Sequence, residues 1–98
     1  PFYGAPVVLI ALARTARDAQ FCDGCVMLEN MMLAANSYGL GAVWLNPLMT
    51  LRNVLPVKAL LDDYGIPENH TVWATIAIGY PVSNGAALAK RENVIHFV

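Results

Sequence analysis

From Asp18, or from Asp23, to Tyr38 the sequence runs without a proline and almost without a polar face. Either aspartate can cap a helix N-terminus. Gly39 suits the left-handed position just past a helix end, and Leu40 is placed for the hydrophobic contact that accompanies it. The segment predicts a long helix. Val26, Met27, Leu28, Met31, Met32, Leu33, Ala34 and Ala35 fall on every side of it, interrupted by Glu29 and Asn30. A helix without a wet face has to be covered all round. A chain of 98 residues has room for one small domain that buries roughly two-thirds of its unfolded surface. It cannot surround such a helix by itself, so the helix is expected at an interface between subunits, with its methionines filling gaps there. Glu29 and Asn30 would then need partners, since a buried carboxylate or amide is costly without one.

Composition points the same way. Hydrophobic residues make up 57% of the chain and charged residues 13%, about half the ~25% usual for a soluble domain. So few charges cannot clothe a small sphere, and a partner subunit is the simplest cover. A membrane is not, because the longest apolar run, Ala5 to Ala13, is about half of the ~20 residues a spanning helix needs. Six basic and seven acidic residues give a net charge of -1, which excludes the basic field that nucleic-acid binding requires. The start shows no charged segment, apolar stretch and small-residue cleavage site of a secretory signal. A cytoplasmic location is expected. The chain opens with Pro1 instead of Met, and an N-terminal portion is expected to lie outside it.

Glycine and proline divide the remainder. Ala5 to Ala13, partly β-branched and preceded by the turn-prone Tyr3-Gly4, predicts a buried strand. Ala42 to Leu45 predicts a short strand, followed by Asn46-Pro47, where the proline should hold Asn46 extended. A second helix should begin near Leu55-Pro56, with Pro56 in its first turn, and run to Tyr64 before Gly65. Thr71 to Tyr80 is the most strand-like segment and should be central. Pro81 to Ala89 reads as loop. Val94 to Val98 is an apolar tail of strand character that is not expected to dangle.

Few residues carry obvious chemistry. Cys22-Asp23-Gly24-Cys25 is a CxxC pair near a helix start, where a thiol pKa falls. It reads as a redox dithiol, half of a zinc site or two incidental reduced cysteines. Zinc would require two more ligands, and His70 and His96 lack the paired spacing. His70 belongs to a turn, Pro67-Glu68-Asn69-His70, and His96 alternates with Ile95 and Phe97; neither has a nucleophile arranged as a triad. Gly39-Leu40-Gly41 ends a helix and is no phosphate loop. Lys90-Arg91 is an isolated basic pair.

The ordered set of segments nevertheless resembles one family. Phe2-Tyr3-Gly4-Ala5-Pro6-Val7-Val8-Leu9-Ile10 is similar to the nitroreductase pattern of a Gly-Ala-Pro sequence before a buried strand. Asp23-Gly24, Glu29-Asn30-Met31-Met32-Leu33-Ala34-Ala35 and Tyr38-Gly39-Leu40-Gly41-Ala42-Val43-Trp44 resemble that family's central helix and following strand. Tyr64-Gly65-Ile66-Pro67-Glu68-Asn69 and Ile76-Ala77-Ile78-Gly79-Tyr80-Pro81 close the match, which covers nearly the whole chain.

The resemblance implies the C-terminal half of an α+β fold with a mostly antiparallel sheet flanked by helices. It also implies an intertwined homodimer with FMN at the interface and a C-terminal tail strand exchanged between subunits. The implied activity takes a hydride from NADH or NADPH onto flavin N5 and passes electrons to a nitroaromatic, quinone or similar small acceptor, with no catalytic acid or base and no metal. By position, Leu45-Asn46-Pro47 matches the segment whose backbone amides face flavin N5 and O4. The Asn46 amide is the candidate donor, whereas Pro47 has no N–H to give. Lys90 and Arg91 match basic residues that reach the FMN phosphate, and the cysteines match no catalytic position. The family's Arg-Ser-Arg type motif is absent from these residues, so the chain alone is expected to bind FMN poorly and reduce little. A non-catalytic oligomerisation module on the same half-fold, and a CxxC thiol switch, are the competing functions.

Overall fold

Three strands and three helices make up the computed structural model, which describes residues 2–14 and 18–96. In chain order they are β1 (Val7–Ala13), α1 (Asp18–Ser37), β2 (Gly41–Leu45), α2 (Pro47–Thr50), α3 (Leu55–Asp63) and β3 (Thr71–Gly79). The last strand lies in the middle, in the order β1-β3-β2, with both pairings antiparallel. This is the α+β arrangement expected, with the predicted central strand in its place.

Alternation along the strands sorts two cores. Leu9 and Ala11 of β1, Trp44 of β2 and Ala74, Ile76 and Ile78 of β3 pack with Leu28 and Met32 of α1. Ile10 belongs to the other face, with Val72 and with Leu48, Val57, Leu60 and Leu61 of α2 and α3. Val72 shares the parity of Ala74 yet sits in the opposite core, and the pairing explains why. Ala11 faces Ala74 but Leu12 faces Val72, so Trp73 is one residue too many. Such a bulge turns two consecutive side chains to one side. Trp73 accordingly stacks at a tilt on Phe21 of α1, ring centroids 5.5 Å apart.

α1 ends as its sequence requires. Gly39 adopts φ +76, and the N–H groups of Gly39 and Leu40 donate to the Asn36 and Ala35 carbonyls at 2.9 and 3.0 Å. This paired closure satisfies carbonyls the helix leaves open. α3 closes identically at Gly65, φ +72, where Gly65 and Ile66 donate to Asp62 and Leu61. Pro56 lies in the first turn of α3, as expected.

Two features depart from expectation. Residues 47–50 form a short helix where none was predicted. Asn46 is not extended but helical, φ -87 and ψ -24, for reasons given below. Glu29 and Asn30, expected to find partners at a subunit interface, are exposed in the single chain, where Asn30 Nδ2 donates to the Val26 carbonyl of its own helix at 3.0 Å. Beyond β3, residues 81–96 are exposed coil; Val94 to His96 form no strand within this chain, and Phe97 and Val98 lie outside the described residues.

Among the described residues of α1, Leu28 and Ala35 are the buried ones, while Val26, Met27, Met31 and Leu33 are open to water in the single chain. The chain exposes 7710 Å². A folded monomer of 10.6 kDa would expose roughly 5,500 Å² by size scaling.

Two glycines differ in what they tolerate. A Cβ on Gly24, in mid-helix, would meet Trp73 Cβ at 3.5 Å and Ala11 Cβ at 3.6 Å, ordinary contact distances, whereas Gly39 holds a left-handed φ of +76. Gly24→Ala is therefore expected to stabilise by about 0.5–1 kcal/mol through helix propensity. Gly39→Ala should cost about 1–2 kcal/mol. Urea unfolding of the two variants checks both signs.

Candidate functional site

The candidate site grows from the end of β2. Trp44 and Leu45 are adjacent and so stand on opposite faces of the sheet. Trp44 packs into the α1 core. Leu45, 5% exposed, joins Pro47, Leu48, Leu51 and Phe2 around an apolar cavity of about 280 Å³ on the side of α2 and α3. Asn46, two residues beyond Trp44, returns to the α1 side of the strand.

Asn46 is held there by four bonds. Its backbone carbonyl accepts from the Met49 and Thr50 N–H groups at 3.0 and 3.1 Å and from Thr50 Oγ1 at 3.2 Å. Its side-chain Oδ1 accepts from the Trp44 indole N–H at 2.7 Å. The carbonyl bonds explain why Asn46 is helical. Pro47 takes the first position of α2, where a missing N–H costs nothing, and two backbone donors plus a hydroxyl outweigh the steric bias that Pro47 imposes on its predecessor. The side chain does not cap α2, because its oxygen is already taken by the indole. Arg52 closes the far end of this helix, donating to the Met49 carbonyl at 2.6 Å.

One backbone donor is left at this junction. The Asn46 N–H takes no part in these bonds, and Pro47 has none to give. Lys90 and Arg91 lie on exposed coil, and among the described residues neither joins an ion pair; the single pair present is Lys58–Asp62 at 3.3 Å. Leu45, Asn46 and Pro47 are thus brought together at one turn, while no hydrogen bond or ion pair among the described residues ties Lys90 or Arg91 to it.

The other candidates stay apart from this junction. Cys22 is exposed and Cys25 half-buried, both as free thiols. Burial, and then the neighbouring Cys22, push the Cys25 thiol above its usual pKa. That is the wrong direction for a reactive dithiol, which needs a stabilised thiolate. Among the described residues no group of three or more His, Cys, Asp or Glu is placed to hold a metal ion. No helix among them is long and apolar enough to cross a membrane. His70 Nδ1 lies 2.8 Å from Asn69 Oδ1 in its turn, and His96 is exposed. The residue that sequence reasoning passed over is Trp44. Its signal was available: side chains two apart on a strand share a face, and an indole N–H needs an acceptor.

Comparison with known proteins agrees with this architecture. The sequence model of the Nitroreductase family matches residues 1–80. A protein of Archaeoglobus fulgidus, named as a candidate NADH dehydrogenase/NAD(P)H nitroreductase, is 34% identical over 84 residues, covering 83% of this chain and 47% of the relative. One of the same name from Methanothermobacter thermautotrophicus is 36% identical over 86 residues, covering 82% and 42%. The chain therefore spans less than half the length of these curated relatives. Among solved structures, the nitroreductase of Bacteroides fragilis with bound FMN superposes with a TM-score of 0.89 at 31% identity, over 99% of this chain and 53% of that one. A family pattern matched over most of the residues, carried on a sheet and helices that superpose so closely, leaves one conclusion: this chain belongs to the nitroreductase family.

Proposed function

We propose that the protein is an FMN-dependent NAD(P)H oxidoreductase of nitroreductase type, acting as a homodimer, to which this chain contributes the C-terminal half of the domain. The observation that carries this reading is the superposition on a nitroreductase that holds FMN, at 31% identity over nearly every residue. Bound FMN would supply the redox chemistry, taking a hydride from NADH or NADPH and delivering electrons to a nitroaromatic, quinone or similar acceptor.

The chain's own residues hold and tune. The Asn46 N–H, fixed by the turn into α2, would donate to the flavin at N5 and so favour the reduced form. Leu45 and Pro47 set the position of that amide from either side. Lys90 and Arg91 neutralise the phosphate. None of these residues has to gain or lose a proton, which agrees with the absence of a proposed catalytic acid or base.

The open face of α1 supports the dimer. Val26 is 63% and Leu33 61% exposed, and the chain carries about 2,000 Å² more surface than its mass warrants, more than the ~800 Å² that one partner contributes to a standard interface. The apolar tail from Val94 completes the association by pairing with the partner's sheet, whose edges β1 and β2 are each bonded on one side only within the chain.

Two outcomes are expected. Met31, 39% exposed on the open face of α1, should not tolerate a charge in a closed interface: Met31→Glu breaks the dimer, because the carboxylate is buried without a partner. Sedimentation reads this, and a wild-type protein that is a well-folded monomer at micromolar concentration would remove the dimer. In the complete protein, replacing both Lys90 and Arg91 by Ala should weaken FMN binding by roughly one to three orders of magnitude, from the loss of two charge-assisted contacts. The loss should shrink as salt rises. Fluorescence titration measures both, and an unchanged affinity would leave the pair as surface charge.

A further inference from the structure

Pro47 stands where the resemblance expects a second amide, toward flavin O4, and a proline cannot donate one. The structure offers a replacement beside it. The indole N–H of Trp44 is a donor only, so the Asn46 carboxamide must present its oxygen to it, as the 2.7 Å contact from Trp44 Nε1 to Asn46 Oδ1 records. That bond decides which end of the carboxamide is spent. The NH2 group, with two donor hydrogens, is left at the other end of an exposed side chain, and it makes none of the bonds that hold the turn.

Trp44 itself has little freedom. Its ring is packed against the core formed by Ala11, Leu28, Ala74 and Ile76, and its backbone is paired with Ile76 of β3. A donor fixed by the sheet therefore fixes a carboxamide on the same face. The Asn46 backbone is separately locked by the Met49 and Thr50 N–H groups on its carbonyl. One residue thus presents two distinct donors, the main-chain N–H and the side-chain NH2, both oriented by bonds to its acceptor atoms.

We infer that Trp44 is a positioning residue that orients the Asn46 carboxamide so that its NH2 donates to the flavin carbonyl at O4, in place of the amide that Pro47 lacks. The inference rests on the reading of Leu45-Asn46-Pro47 as the flavin-facing segment. It goes beyond that reading in assigning the second donor to a side chain and its orientation to an indole.

The test is a set of variants in the flavin-loaded complete protein, read by flavin midpoint potential, the C4=O stretching frequency of bound FMN and the FMN dissociation constant. Asn46→Leu keeps the backbone N–H and removes the carboxamide. It should shift the potential to a more negative value, raise the carbonyl frequency and weaken FMN about fivefold to tenfold, the effect of one hydrogen bond. Trp44→Phe should move all three in the same direction by less, and should add little to Asn46→Leu, since residues acting through one contact are not additive. Pro47→Ala in the Asn46→Leu background restores an N–H at the second position and should recover the carbonyl frequency and the potential. A purely structural role for Asn46 would not be rescued in this way.

An Asn46→Leu variant with unchanged potential and carbonyl frequency overturns the inference. So does full additivity of Trp44→Phe with Asn46→Leu. Failure of the underlying reading looks different: the wild-type protein would then show no FMN affinity, or none that responds to Lys90→Ala with Arg91→Ala. Thermal unfolding of each variant identifies any that lose flavin merely by losing the fold.

Discussion

Antiparallel pairing of β3 with both of its neighbours decides which side chains face α1 and which face α2 and α3. Side chains alternate along a strand, so a slip of one residue would exchange the two cores. The register is held by Gly41 to Leu45 against Gly79 to Thr75 on one edge and by Val7 to Ala11 against Ile78 to Ala74 on the other. At Trp73 the sheet takes in one extra residue. That insertion lets Trp73 and Ala74 both face α1 while Val72 supplies the opposite core, and so the last turn of pairing serves both layers. Two polar atoms are stranded in this arrangement: Trp73 Nε1 and Thr75 Oγ1 are buried without a partner among the described residues. Thr75 is 0% exposed and sits in the central strand, paired on both sides.

Much of this was legible in the residues. The positions of β1, α1, β2, α3 and β3 follow from apolar periodicity and from Gly39, Gly65 and Pro56, each of which has one dominant use at a helix end. The bulge was not legible, because Trp73 and Ala74 read as ordinary alternation and only the register with Ala11 reveals the extra residue. α2 was missed because four residues give no period to detect. The error at Asn46 has the same origin. The steric rule for a residue before proline is local, whereas its carbonyl answers to donors three and four positions later. Asn46 and Lys90-Arg91 were reached through resemblance to a family, not through any property of their own. The Trp44–Asn46 bond lay within reach of spacing alone.

The apolar excess has a more definite meaning in the structure than in the sequence. Composition said that some surface needs covering; the burial along α1 says which. Leu28, Met32 and Ala35 follow one stripe onto the sheet. Val26, Met27, Met31 and Leu33 lie off that stripe and are exposed. The helix is therefore not uniformly hungry for contact. One side is satisfied within the chain, and the remainder presents side chains of core type to water. Their methionines adapt to an irregular counterpart better than β-branched residues would.

This geometry also links association to the candidate flavin segment. α1 lies on the face of the sheet that carries Trp44 and, two residues on, Asn46. The strand that carries Trp44 and leads into Asn46 starts directly after the Gly39-Leu40 closure of α1. In the proposed dimer, a force on α1 from the partner would reach β2 over a short turn closed by the Gly39 and Leu40 N–H bonds. Packing also ties α1 to Trp44 directly, through the core around Leu28. A dimer formed on the outer face of α1 would press the helix against the sheet and leave the indole less room to reorient. Since the indole N–H is what commits the Asn46 oxygen, the rigidity of the proposed flavin donors would then depend on subunit association. In the proposed dimer, the interface and the candidate flavin segment would not be separate attachments to one fold. They would be two sides of the same helix-to-strand connection, and a covered α1 would serve the proposed chemistry by holding that connection still.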